Sequence, residues 1–306
     1  MAKRDFLTLT DLSRDEAREV LSLARKLKAE PKGARTGLLP GRALAIVLEK
    51  ASTRTRVSFE VGAAQLGMQP VVLGMQGSQL GRGEPIRDTA RVLARYCDAI
   101  VYRTSATSRL REMATASVPV VNALSDDGHP VQVLCDVLTV EEQLGASIAG
   151  RRVAFVGDCG SNMGRSWLEA APLFGFDLVL AGPEGHMPPA AEIARAGKHV
   201  TLVHEPARAA DGCDVVNTDV WTSMGQEAEG QERVEAFAGW TVNGAMLARA
   251  RAGAIVLHCL PAHRGEEIDE ETLEGPRSRV WDQAENRLHV QKALLVWLLG
   301  AAAAVR

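Results

Sequence analysis

The stretch Pro40-Gly41-Arg42-Ala43-Leu44-Ala45-Ile46-Val47-Leu48 is a short aliphatic run behind a Pro-Gly break. A continuous run of this length, bounded by turn residues, reads as a strand buried on both faces. Strands of that kind belong to parallel sheets covered by helices on each side. A polar turn follows, then a helix that ends at Gly67. Upstream, Ser13-Arg14-Asp15-Glu16 is a capping box, opening a helix with Val20, Leu21, Ala24 and Leu27 on one stripe.

The same alternation continues downstream. Strands are expected at 71–73, 99–102 and 118–123, with a helix at 86–96 and a loop at 125–129. A long helix at 131–144 closes this half, and Gly145 and Gly150 bracket its end. The pattern then restarts, with strands at 152–156, 177–181, 199–203, 215–216 and 255–258 and helices at 162–174 and 188–196. Alternating strands and helices predict an α/β fold. Two such runs predict two doubly wound parallel-sheet domains with a cleft between them, the first over 1–145 and the second over 146–285.

The 306 residues suffice for two buried cores. Apolar residues make up 46% and charged residues 24%, with a formal charge of −3. That balance gives no argument for nucleic acid or a membrane surface as partner. The apolar C-terminal stretch 293–305 is too short for a span of roughly 20 residues and reads as a docked helix. Five cysteines, at 97, 135, 159, 213 and 259, form no Cys-x-x-Cys pair. Reduced thiols in a cytoplasmic protein fit this pattern. The charged N-terminus, Met1-Ala2-Lys3-Arg4-Asp5, has no apolar signal region.

Four stretches carry candidate chemistry. Ser52-Thr53-Arg54-Thr55-Arg56 follows a buried strand and opens a helix, where free N–H groups, hydroxyls and a guanidinium fork suit a phosphate. The alternative is an ordinary helix start with solvated arginines, although cations there oppose the helix dipole unless an anion is bound. His129-Pro130-Val131-Gln132 sits at a loop-to-helix junction, where the imidazole either faces a ligand oxygen or simply caps the helix. Asp219-Val220-Trp221-Thr222-Ser223-Met224-Gly225 follows a strand; Asp219 suits an ammonium group, and the alternative is a plain turn packed on Trp221. His258-Cys259-Leu260-Pro261-Ala262-His263 invites a zinc reading, but no fourth ligand is nearby, and a thiol beside a substrate ammonium or a buried cysteine is preferred. Gly157, Gly160 and Gly164 are spaced G-x-x-G-x-x-x-G, unlike the G-x-G-x-x-G of a dinucleotide site, so no cofactor and no metal is expected.

Taken in order, six stretches resemble the aspartate/ornithine carbamoyltransferase family. They are 49–60, 77–84, His129-Pro-Val-Gln132, 219–225, 258–267 and Glu285-Asn286-Arg287, and they cover nearly the whole chain. The resemblance implies transfer of a carbamoyl group from carbamoyl phosphate to the δ-amine of L-ornithine, giving L-citrulline and phosphate. It implies a carbamoyl phosphate-binding domain first, an ornithine-binding domain second, and a C-terminal helix over 286–306 returning to the first. Ser52, Thr53, Arg54, Thr55 and Arg56 would grip the phosphate, with Gln79 entering from a neighbouring subunit of a trimer. Arg103, His129 and Gln132 would hold the carbamoyl group. Asn162, Asp219, Ser223 and Met224 would hold ornithine, and Cys259, Leu260 and Arg287 would complete the site. Arg54, Arg103, His129 and Cys259 are the expected catalytic residues.

The Ser-Met-Gly turn favours ornithine over aspartate, and less decisively over putrescine or acetylornithine. The rival class, a non-catalytic anion sensor on the same scaffold, could dispense with Arg103, His129 or Cys259, and all three are present. Two stretches depart from the family pattern. Thr104-Ser105 stand where many relatives have Gly and an aromatic, and Gly160-Ser161-Asn162 replace the usual Arg-Asn-Asn. No side chain is an obvious strong base, so catalysis is expected to rest on proximity and electrostatics.

Overall fold

The computed structural model describes residues 3–31, 33–34, 36–222 and 230–305. The chain divides into two units: residues 1–135 with 285–306, and residues 136–284. Each is a parallel sheet flanked by helices. The division falls inside a helix, ten residues before the expected boundary at 145. Its physical cause is that the second half of this helix, α5 (Pro130–Leu144), is tied to the second unit. Gln283 Nε2 donates to Asp136 at 2.7 Å, and Arg279 Nε donates to Gln143 at 2.7 Å.

The first unit holds β1 (Ala43–Leu48), β2 (Gln69–Gly74), β3 (Ala99–Arg103) and β4 (Val120–Leu124) in the order β2-β1-β3-β4. Its helices include α1 (Arg14–Ala29), α2 (Thr53–Leu66), α3 (Ile86–Tyr96) and α4 (Thr107–Met113). Ser13 caps α1 with Glu16 reciprocating, as the capping box predicts. Gly67, at φ 86°, ends α2 in a left-handed conformation open to glycine at no steric cost. Ala45, Val47, Ile100 and Tyr102 form one core face with Leu80, Ile86 and Leu93.

The second unit orders its strands β7-β6-β5-β8-β9. These are β5 (Arg152–Val156), β6 (Asp177–Ala181), β7 (Val200–Val203), β8 (Val215–Thr218) and β9 (Ile255–His258). Helices α6 (Asn162–Phe174) and α7 (Ala190–Ala196) match the apolar pattern. Three short helices, α8 (Gly230–Ala236), α9 (Gly244–Leu247) and α10 (Glu270–Leu273), were not legible in it, and neither was α4. The terminal helix α11 (Val280–Leu298) starts well before the apolar stretch at 293. No helix among the described residues is long and apolar enough to cross a membrane.

In each sheet the strand order reverses once: between β1 and β3, and between β5 and β8. Ligands of open α/β sheets bind at the carboxyl edge beside such a reversal. The segments leaving β1 and β3 carry Ser52–Arg56 and Arg103. Those leaving β5 and β8 carry Asn162 and Asp219.

Candidate functional site

In the first unit the site is built around the N-terminus of α2. Ser52 is its N-cap, accepting from Thr55 N–H and donating to Thr55 Oγ1 at 3.1 Å. Thr55 is buried, and its Oγ1 also accepts from Arg287 Nη2 at 3.0 Å. Arg287 stands on α11, buried, and its Nη1 donates to Gln132 Oε1. The same Nη1 lies 3.5 Å from His129 Nε2. Residues from α2, α5 and α11 thus converge on one point.

His129 is delivered by a tight turn. Ser125 and Gly128 exchange backbone hydrogen bonds of 2.9 and 3.3 Å, and Asn122 Nδ2 donates to Ser125 Oγ. Lys50 pairs with Asp126 of this turn at 3.7 Å. Burial pushes the His129 imidazole well below its usual pKa, and the charges of Arg287 and Arg103 push the same way. The ring is therefore neutral near pH 7, able to donate from one nitrogen without adding a third positive charge.

The other expected residues sit around this cluster. Arg103 ends β3 at an irregularity, where the register steps from Tyr102 opposite Asn122 to Arg103 opposite Leu124. Arg54 is half-buried in the first turn of α2, and Thr53 is exposed beside it. Arg56 turns outward to Glu60 at 3.3 Å. Gln79 is exposed on a short 3-10 turn between Gly77 and Gly83, and the described contacts do not bring it to the cluster.

In the second unit, Asp219 and Cys259 meet. The Cys259 thiol donates to Asp219 Oδ1 at 3.1 Å, and Val220 N–H donates to the same oxygen at 2.9 Å. Burial pushes the Asp219 carboxyl up, against the pull of His258, the thiol and the Val220 N–H. A carboxylate so incompletely compensated gains most from an ammonium partner. Asn162 opens α6, whose N-cap is Ser161, accepting from Gly164 N–H. Ser161 thus satisfies one of the open N–H groups at the start of α6. Gly164 is required there: a Cβ would lie 2.1 Å from the Cys159 carbonyl oxygen. Ser223 and Met224 lie outside the described residues.

Leu260 has φ 58°, a left-handed value that a leucine rarely adopts. Its N–H donates to His258 Nδ1 at 2.8 Å, while His258 Nε2 meets Glu267 Oε1 at 3.0 Å. The tautomer follows: Nδ1 accepts, so the proton is on Nε2, facing Glu267. Glu267 also accepts from His263 N–H at 2.7 Å and is fully buried. This residue anchors the whole 258–267 loop, a role that its sequence position alone did not signal. Asp219, His258 and Cys259 offer ligand atoms within 4.8 Å of one another. Both His258 nitrogens are already engaged, which leaves the ring no lone pair for a metal.

Two family profiles match the chain. Residues 4–142 match the carbamoyl-P binding domain of aspartate/ornithine carbamoyltransferase, and residues 149–298 match its Asp/Orn binding domain. A curated ornithine carbamoyltransferase of Sorangium cellulosum (strain So ce56) is 73% identical, over 98% of this chain and 99% of its own. Among solved structures, ornithine carbamoyltransferase from Pyrococcus furiosus superposes with a TM-score of 0.91 at 45% identity, covering 98% of each chain. That from Gloeobacter violaceus gives 0.86 at 45% identity, over 97% of this chain and 99% of that one.

Proposed function

The chain belongs to the aspartate/ornithine carbamoyltransferase family, and on that premise we propose how its residues carry a carbamoyl group from carbamoyl phosphate to the δ-amine of L-ornithine, giving L-citrulline and phosphate. It is a carbamoyltransferase. The observation that carries the residue assignment is the convergence of Thr55, His129, Gln132 and Arg287 at the sheet reversal of the first unit.

The free N–H groups of α2, the hydroxyls of Ser52, Thr53 and Thr55, and Arg54 hold the phosphate, while Arg56, paired outward with Glu60, adds positive charge at the helix start. Charge that builds on it as it leaves is met by a helix end and a guanidinium already in position. Arg103 and neutral His129 donate to the carbamoyl oxygen, which becomes negative as the amine attacks. Gln132 fixes Arg287 by accepting from it, and Arg287 steadies Thr55. Asp219 takes an ammonium of ornithine, Cys259 orients that carboxylate, and Leu260 supplies backbone at the same edge. Asn162 offers its amide to the amino acid's carboxylate. The δ-amine, with a free pKa of about 10.4, reacts as the neutral form.

The same reading has the chain working in arginine metabolism in the cytoplasm, as a homotrimer. Its five cysteines form no disulfide among the described residues, which agrees with a reducing compartment. The test is citrulline formation from carbamoyl phosphate and ornithine, with putrescine and acetylornithine assayed alongside. Ornithine should be the preferred acceptor by a wide margin. A preference for either other amine overturns the substrate assignment, and no turnover with any amine favours a sensor.

A further inference from the structure

Glu49 leaves β1 at the sheet reversal, just before the phosphate helix. By the two-residue alternation of a strand, Ala45, Val47 and Glu49 share one face, as do Ile100, Tyr102 and Thr104 of the neighbouring strand. Arg103 points to the opposite face. The Glu49 carboxylate collects donors from both flanks of Arg103: the Tyr102 hydroxyl, and Thr104 Oγ1 at 2.6 Å. Arg109 of α4 closes the cluster, with Nε 3.1 and 3.0 Å from the two carboxylate oxygens and Nη2 at 2.6 Å. Glu49 N–H, in turn, donates to the Arg103 carbonyl at 2.9 Å.

Arg103 is therefore bracketed. The side chains before and after it and its own carbonyl are all fixed to one residue. This happens at the bulge, where Ala123 is the extra residue on β4 and Thr104 N–H reaches Leu124 O at 3.0 Å. Bulges of this kind re-aim side chains next to active sites. Burial would raise the Glu49 carboxyl, but the hydrogen bonds from Arg109, Thr104 and Tyr102 outweigh it and keep the group ionised.

We propose that Glu49 is a positioning residue for the transfer reaction: with Tyr102, Thr104 and Arg109 it locks the bulge that aims Arg103 at the carbamoyl group. The Thr104 departure from the family pattern is then part of the device, because its hydroxyl is one of the donors. The proposal rests on the function assigned to Arg103 above.

Glu49→Gln keeps the shape and removes the charge. A misplacement of about 1 Å at a reacting group can cost on the order of 100-fold. The variant should fold with a near-native Tm and lose roughly 10- to 100-fold in kcat/KM for carbamoyl phosphate. Thr104→Val should show a smaller loss, restored by Thr104→Ser. In an Arg103→Ala background, Glu49→Gln should cost almost nothing further, because its effect passes through Arg103. A plain staple between β1 and α4 would give the same loss in both backgrounds, and that result overturns the proposal. A crystal structure of Glu49→Gln reads the same point without turnover: the Arg103 guanidinium should be displaced, and an unmoved Arg103 overturns the proposal. Citrulline formation by the unmodified chain is the separate control, whose failure sinks the reaction and not the geometry.

Discussion

A histidine buried among arginines has consequences for stability as well as for chemistry. His129 keeps its imidazole neutral in the fold because burial, Arg287 and Arg103 all oppose a proton. In the unfolded chain the same ring titrates near 6.5. Below that pH the unfolded state binds a proton that the native state refuses, so stability falls as pH falls. His289 adds to the same limb: burial lowers its pKa, helped by Lys292 and Lys28. Urea unfolding should therefore lose stability as pH falls below about 6.5, with a slope for His129 that approaches about 1.4 kcal/mol per pH unit near pH 5. His129→Gln should flatten that slope by about one proton. An unchanged slope in a folded variant would mean that His129 titrates normally. Glu49 works in the same sense in a more acidic window: its lowered pKa gives stability that is lost only as pH falls below about 4.5. Asp219 is the residue to test for substrate. Asp219→Asn removes a charge-assisted hydrogen bond of about 1.5–3 kcal/mol, so KM for ornithine should rise roughly 10- to 100-fold while that for carbamoyl phosphate changes little. Equal effects on both would assign Asp219 to the fold.

At the scale of elements, β8 contains an anomaly. Asn217 is fully buried between Phe155 and Leu257 in the register, and neither end of its amide has a hydrogen-bond partner among the described residues. An unsatisfied buried amide costs about 1–3 kcal/mol. Asn217→Val suits a central strand and should stabilise the chain by about 1 kcal/mol, raising Tm by about 2–4 °C. Calorimetry checks this, and a loss of similar size would show that the amide is satisfied in solution. The strands themselves were legible, because runs such as Leu44–Leu48 and Val153–Val156 are apolar throughout. From its residues alone, helix α11 was legible only at its apolar end; the resemblance extended it back to 286. Its earlier turns bury Gln283, Asn286, Arg287, His289, Gln291 and Lys292, so no apolar stripe announces the buried face. Several of those side chains meet partners remote in sequence: Lys28 meets Asn286 at 2.8 Å, and Lys292 meets Gln65 at 3.0 Å. Glu49 was illegible as an anchor for the same reason, its donors Tyr102, Thr104 and Arg109 being remote in sequence. A carboxylate shows its donors only when strands far apart in sequence are paired.

At the scale of the whole molecule, the open question is whether one chain builds a complete phosphate site. Gln79 is exposed on a turn flanked by Gly77 and Gly83, both at positive φ, which leaves little in its own chain to fix the side chain. Val57 and Val61, one turn apart on α2, are also exposed, an apolar surface beside the phosphate helix that a neighbouring copy would cover. Head-to-tail contacts of this sort close into rings when the rotation allows. If Gln79 enters the neighbour's site, Arg54→Ala and Gln79→Ala are each inactive for different reasons. Arg54→Ala lacks the guanidinium in its own site, and Gln79→Ala fails to complete its neighbour's. In a hybrid trimer of the two, one interface always joins a native Arg54 to a native Gln79, so about a third of the sites recover. Activity after subunit exchange should rise accordingly, with hybrids verified by native mass spectrometry. Hybrids that form but stay at the activity of the unmixed variants would mean that each chain completes its own site, and Gln79 would then be a polar tip on an ordinary surface turn.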